Sequence, residues 1–332
     1  MININNDCLD PYFNLALEEY FLKNDDDESY FTLWQNYNTI VVGKYQNPLA
    51  EINREFVNAN KIKVSRRLTG GGAVFHDLGN INFTFITPNN GAIEKLNFKK
   101  FTDPIIGALA SIGVTAKSQG RNDLVIDGKK ISGNSQYMTN KKVLHHGTLL
   151  FDSDLEKICD CLVPDQGKFD SNHVPSIKSR VTNIAHHLPA GKDLDVYSFG
   201  NLLLDFMIKE YGIKTSRPLT ADETSKISRL RDEKYATWDW VYGSSPDYNY
   251  EKSKKYEGVG TISFKAAVSE GRIENCRIYG DFFGSGDLSE VEKTIAGVRL
   301  RYDDLNTALF SIDIKHFISN CDKEQLLSLI LN

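Results

Sequence analysis

Three consecutive glycines, Gly70-Gly71-Gly72, follow the pair Arg66-Arg67 and precede the apolar Ala73-Val74-Phe75. A glycine inside a helix or strand loses about 0.5–1 kcal/mol relative to alanine, so three in a row are poorly placed in regular structure. The run therefore predicts a connection between strands, with Lys61 to Ser65 extended before it and Ala73 to Phe75 and Asn82 to Ile86 extended after it. Without side chains, the loop can bring backbone N–H groups close to a ligand, and adjacent guanidiniums can meet a phosphate or carboxylate bidentately. That is the make-up of an anion cradle. It is neither a Walker A loop, since no Gly-Lys-Ser/Thr follows, nor a GxGxxG turn opening a helix. On composition alone, a solvated surface turn accounts for the same residues equally well.

Around this loop the pattern is mixed. Asp10-Pro11 predicts a helix start, with Phe13, Leu17, Tyr20 and Phe21 recurring at helical spacing to about residue 23. Tyr30 to Trp34 and Thr39 to Val42 read as two strands paired with each other. Asp103-Pro104 predicts a second helix, closed by Gly113 in a left-handed cap. Ser153-x-x-Glu156, Thr220-x-x-Glu223, Ser289-x-x-Glu292 and Asp322-x-x-Gln325 are capping boxes for further helices, and a longer helix covers 195 to 211 before Gly212. Regular βαβ alternation is missing, so the fold class is α+β, with mixed, largely antiparallel sheets flanked by helices. A length of 332 residues gives a prior of about two domains. The polar stretch from Ser244 to Lys255 reads as a linker, dividing the chain into a catalytic domain 1–246, a linker 247–255 and a small α+β domain 256–332.

A second concentration of chemistry lies at Gly120 to Ser135. Asp127-Gly128 favours a type I′ turn between Asp123–Ile126 and Lys129–Gln136. Strand alternation then places Lys130, Ser132 and Asn134 on one face and Lys129, Ile131 and Gly133 on the other. Two lysines beside a turn are also ordinary solubilising charge.

Composition narrows the partners. The net charge is −5 and no long basic run is present, which disfavours nucleic acid. The five cysteines are scattered, without the spacing of a zinc site, and fit a reducing cytoplasm. The N-terminus lacks a signal-like apolar run, and no segment approaches the ~20 apolar residues of a membrane span.

Taken together, RRLTGGGAVFHDLGNINFTF, GRNDLVIDGKKISGNSQ, HHGTLLFDSDLEK and SRVTNI, in this order, closely resemble the lipoate-protein ligase A family. Asp10 to Ala16 and Val42 to Pro48 match it as well, and the likeness runs through the C-terminal domain.

The resemblance implies a biotin/lipoate-ligase-type catalytic domain that activates lipoate with ATP and Mg2+ to lipoyl-AMP, releasing pyrophosphate. The lipoyl group then passes to a lysine of an acceptor lipoyl domain, an E2 subunit of a 2-oxoacid dehydrogenase or the glycine-cleavage H protein. It assigns Arg67 and the backbone of Gly72, Ala73, Val74 and Phe75 to the nucleotide, Gly70, Gly71 and His76 to lipoate, and Lys130 to both. Asp123 is assigned to catalysis, at the Mg2+ ion or the incoming acceptor lysine; read alone, it is a strand-start carboxylate pairing with Arg121. Read alone, His76 is equally a structural histidine. His145 and His146 are expected to line or support the pocket without acting as a base. Leu15, Ala16 and Phe31 are candidates for an apolar lipoate tunnel. The C-terminal domain is expected to be a lid, and the whole protein a monomer. Two other readings use the same fold: an ATP-independent lipoyl or octanoyl transferase with a cysteine nucleophile, for which Cys159, Cys161 and the residue at 165 are the positions to weigh, and a non-catalytic lipoate binder. Packing of the two thiols in a helix is the plainer account of them.

Overall fold

The computed structural model describes residues 1–89, 96–162, 180–242, 249–269 and 271–331. Its strands in chain order are β1 (Ile2–Asn5), β2 (Tyr30–Trp34), β3 (Thr39–Val42), β4 (Lys63–Arg66), β5 (Val74–His76), β6 (Asn80–Pro88) and β7 (Lys117–Gln119). They continue as β8 (Asp123–Ile126), β9 (Lys129–Met138), β10 (Lys142–Leu150), β11 (Thr215–Pro218), β12 (Tyr250–Tyr256), β13 (Gly260–Ser269) and β14 (Arg272–Gly280). An eight-stranded sheet runs β11-β1-β2-β6-β10-β9-β8-β7, a three-stranded sheet runs β4-β3-β5, and the third, β12-β13-β14, belongs to the C-terminal domain. Among these described strands only the β1–β2, β1–β11 and β3–β4 pairings are parallel. The α+β expectation holds.

The expected partnership of β2 with β3 does not. β2 pairs with β1 and β6, whereas β3 pairs with β4 and β5 in the other sheet. Both strands are buried on both faces, so neither shows the alternation that would have marked its partner. Against the large sheet pack the helices Lys99–Ser111 and Val196–Tyr211, burying Ile105, Leu109, Phe199 and Leu203 over Phe83, Phe85 and Leu149. Burial of each such side chain is worth about 1.5–3 kcal/mol. The first of these helices starts a turn before Asp103, because Asn97 Oδ1 accepts from Lys100 N and caps it there; Pro104 lies inside. Its end is a Schellman motif at Gly113, as expected, with Val114 N on Leu109 O and Gly113 N on Ala110 O.

The boxes at Thr220 and Asp322 form as read. The other two shift, because aspartates take the caps: Asp154 rather than Ser153, and Asp287 rather than Ser289. Part of the expected linker, residues 247 and 248, lies outside the described residues, and Tyr250 to Lys255 forms most of β12 instead. The run was misread because its lysines mark an edge strand, where charge discourages pairing with other chains. Tyr250 and Tyr256 at its ends donate their hydroxyls to Ile330 O and Gln325 O, tying it to the last helix.

The C-terminal domain rests on the glycine loop. Tyr45 stacks on Phe282 with ring centroids 4.9 Å apart, Gly71 N donates to Phe282 O, and the Arg121 guanidinium lies 4.2 Å from the centre of the Phe283 ring.

Candidate active site

The helix Pro11–Lys23 buries three polar side chains, Asn14, Glu18 and Glu19, which an ordinary packing helix would not do. It borders a cleft with about 580 Å3 of empty space, bulk solvent at its mouth included, whose walls include Leu15, Trp34, Val41, the loop Gly71 to Val74, His76, Lys130, Asn134 and His146. Thus the two chemical segments read from sequence, one between β4 and β5 and one on β9, meet across a single cavity.

Arg67 builds the loop from within. Its guanidinium is buried and donates to Thr69 Oγ1, Val41 O, Gly70 O and Gly72 O at 2.7–3.2 Å, and burial pushes its pKa down to about 10. Nearly all its donors are therefore spent on the protein rather than offered to a ligand. Arg66 likewise fastens Gly43, Lys44, Gln46, Trp240 and Val241 carbonyls. The glycines serve different ends. A side chain at Gly70 would stand 2.1 Å from Phe282 O, so this residue faces the C-terminal domain and not the cleft, contrary to its assignment to lipoate. Gly71 has φ +90° and Gly72 faces open space; both line the cleft. Phe75 also departs from expectation: it is buried with Ile40, Val42 and Val64, and its backbone is held in the β3–β5 ladder, while Ala73 and Val74 do line the cleft.

Lys130 enters the cleft by a route the alternation rule misses. The β8–β9 register slips so that Leu124 faces Ser132 and Val125 faces Lys130, leaving Ile131 without a counterpart. The bulge moves Lys130 to the face of Gly133, with Nζ 3.0 Å from where a Cβ of that glycine would stand, and Ser132 turns inward to accept from Asn134. Asp127 and Gly128 have φ 49° and 78°, as the expected turn requires. Behind the bulge, Lys130 O accepts from Thr182 N at 2.9 Å, so the Arg180 to Asn183 segment braces the strand. Asp123 pairs with Lys130 Nζ at 2.7 Å and not with Arg121, which reaches across to Val259 O and Asp281 O. Among the described residues no group of three or more His, Cys, Asp or Glu side chains could hold a metal, and Asp123 with its lysine is no exception.

His76 is buried; its Nδ1 lies 3.0 Å from Asn36 Nδ2, which can only donate, so the proton sits on Nε2. That Nε2 has no partner among the described residues although it is buried in the cleft wall. Burial first, then Arg67 and His146, pushes its pKa down to about 3. The unfolded chain takes up this proton near pH 6.5 and the folded one does not. Stability is thus fully present above pH 6.5 and lost as pH falls toward 3, by up to about 1.4 kcal/mol per unit. Urea midpoints measured from pH 7 down to 4.5 should show a shallower decline for His76→Gln than for the wild type.

Of the expected tunnel residues, Leu15 lines the cleft, whereas Ala16 and Phe31 are buried in neighbouring cores. His145 is packed among Phe83, Phe98 and Phe101, and His146 lines the wall. Glu18, Trp34 and Thr69 were not singled out from sequence; buried polar positions on the apolar face of the first helix were the available signal. Cys161 is buried against the small sheet, its thiol pushed up to about 12 by burial, and neither it nor Cys159 lines the cleft. Residue 165 lies outside the described residues.

The family model for the lipoyl protein ligase A/B catalytic domain matches residues 10–207, and that for the bacterial lipoate protein ligase C-terminus matches residues 245–330. The chain belongs to the lipoate-protein ligase family. Two relatives in this family span almost the whole length: lipoate-protein ligase LplJ of Bacillus subtilis is 42% identical over 327 residues, covering 98% of each chain, and lipoate–protein ligase 1 of Staphylococcus aureus is 39% identical over 327 residues, also with 98% of each covered. Among solved structures, the lipoate complex of P. falciparum LipL1 superposes with a TM-score of 0.79 at 25% identity, covering 99% of this chain and 98% of that one. A bipartite ligase studied with its E2 lipoyl domain, from Thermoplasma acidophilum, covers 75% of this chain and 98% of its own with a TM-score of 0.63 at 25% identity. The lipoate-protein ligase fold thus extends through both domains, and the thiol-transferase reading finds no support in the cleft.

Proposed function

We propose that the cleft joins lipoate to ATP and then to protein. A lipoate carboxylate oxygen attacks the α-phosphorus, the bond to the β-phosphate breaks, and pyrophosphate leaves. The amine of an acceptor lysine next attacks the acyl carbon, the carbon–oxygen bond to phosphate breaks, and AMP leaves. The carrying observation is the convergence on one cavity of the glycine-loop backbone and the Lys130 ammonium.

In this reading Gly71 to Val74 border the nucleotide, and Arg67 holds that loop in shape rather than binding phosphate through its own fork. Lys130 sets a compact charge where the α-phosphate and the carboxylate meet, opposing charge that grows in the transition state. Asp123 holds Lys130 in place and is the nearest carboxylate for the proton of the acceptor amine. The free Nε2–H of His76 supplies a donor to lipoate, and Leu15, Trp34 and Val41 supply apolar wall. Mg2+ comes with the triphosphate, which it needs few protein ligands to accompany. The acceptor is an E2 or H-protein lipoyl domain, the E2 part of this reading being supported by the Thermoplasma pairing. The protein works as a cytoplasmic monomer with its C-terminal domain as a lid.

Incubation with ATP, lipoate and a lipoyl domain, followed by measurement of AMP and of modified lysine, tests this. AMP formation matched by lysine modification is the expected result; modification without ATP would overturn it. The double variant Cys159→Ser/Cys161→Ser should keep its rate within roughly twofold of wild type, as thiols that do not line the cleft carry no acyl group. Loss of lysine modification in that variant, with its fold intact, would restore the transferase reading.

A further inference from the structure

Beneath the cleft a chain of hydrogen bonds joins two groups that can only donate. From one end, Trp34 Nε1 donates to Thr84 Oγ1 at 2.8 Å, and Thr84 Oγ1 donates to Glu18 Oε1 at 2.6 Å. From the other, Arg67 Nε donates to Thr69 Oγ1 at 3.0 Å, and Thr69 Oγ1 lies 2.9 Å from His146 Nε2. His146 Nδ1 closes the chain, 2.9 and 3.0 Å from the two Glu18 oxygens. Glu18, Thr84 and Thr69 are all buried.

The donor-only ends fix the direction of every bond. An indole N–H and a guanidinium N–H have no acceptor to offer, so each threonine receives on its outer side and passes its single hydrogen inward. A carboxylate only accepts, so His146 carries its proton on Nδ1 and turns a lone pair on Nε2 toward Thr69. With the opposite tautomer, Nδ1 and the carboxylate would face each other as two acceptors. With an imidazolium, Thr69 would accept from two cations, and its own hydrogen would have no partner in the chain. Both halves therefore drain into Glu18.

We propose that Glu18 is a positioning residue for adenylation, setting the tautomer of His146 and, through Thr69 and Arg67, the shape of the glycine loop. This rests on the ligase reading above. The effect reaches the loop because Arg67 bonds Thr69 with the same guanidinium that holds Gly70 O and Gly72 O. Both nitrogens of His146 are engaged within the chain, so it presents its ring and not a free nitrogen to the cleft. A carboxylate two turns into the first helix thereby governs a loop about fifty residues further along the chain.

The test uses the full chain labelled with 15N-histidine, the His146 signals being assigned by their loss in His146→Gln. Long-range 15N–1H correlation should show His146 protonated on Nδ1 alone. Glu18→Met, which keeps length but offers no acceptor, should shift His146 toward the other tautomer and lower kcat for lipoate-dependent pyrophosphate exchange by roughly tenfold or more, with a smaller change in KM for ATP. Glu18→Gln keeps an acceptor oxygen and should restore both the Nδ1 signature and most of the rate. A wild-type His146 protonated on Nε2 or on both nitrogens would overturn the proposal, as would a Glu18→Met enzyme with unchanged tautomer and rate. Should Glu18→Met fail to fold, the wild-type signature and the Glu18→Gln rate decide in its place. The tautomer needs no turnover, so a protein without exchange activity would refute the ligase reading while leaving this measurement standing.

Discussion

Lys130→Ala should lower lipoate-dependent pyrophosphate exchange by roughly a thousandfold, the scale expected when a fixed charge opposite developing phosphate charge is removed. Its thermal midpoint should stay within roughly 2 °C of wild type, since a half-exposed ion pair adds little stability. Among the described residues the side chain pairs with Asp123 and lies over Gly133, and the strand beneath is held by backbone bonds that the substitution leaves intact. Lys130→Arg should not recover the rate, because a planar fork cannot take the place of a compact ammonium over a glycine. Exchange within tenfold of wild type in Lys130→Ala would remove the lysine from the reaction.

Arg67→Ala should be the more damaging to the protein itself. It strips donors from the buried acceptors Val41 O, Gly70 O and Thr69 Oγ1 and from the more exposed Gly72 O, with Gly70 O keeping only Ser135 Oγ, and each buried group left unsatisfied costs about 1–3 kcal/mol. A loss of at least about 3 kcal/mol in urea unfolding is expected, a large share of the 5–15 kcal/mol that holds a typical fold. Exchange activity should fall with it even at temperatures where the variant is folded, because the loop loses its internal clamp. Arg67→Lys should recover less than half of the stability, as one ammonium cannot reach four separated acceptors. Near-native stability in Arg67→Ala would mean that water or neighbouring groups satisfy the loop.

The contrast between these residues shows what was legible in the sequence. The glycine run, the Asp127-Gly128 turn, the helix ending at Gly212 and the Thr220 box are local, and each was read correctly because its cause lies within a few residues. Lys130 and Asn134 both border the cleft as the alternation implied, but a one-residue bulge sets Gly133 beside the lysine and turns Ser132 inward, and no local pattern announces it. β2 and β3 were joined wrongly since their true partners lie far along the chain. Gly70 and Phe75 were placed in the site by motif membership, although one is occupied by the second domain and the other by the core. Glu18 escaped because a glutamate in a helix looks like surface until its burial is known.

The closeness of Gly70 to Phe282 means that the two domains are not interchangeable modules. The reason for a glycine at position 70 is a carbonyl supplied from the far end of the chain, not anything in the loop itself. In a chimera carrying a foreign accessory domain, the rule forbidding a side chain there would change with the graft, and mutational tolerance at position 70 would be inherited from the donor of the accessory domain.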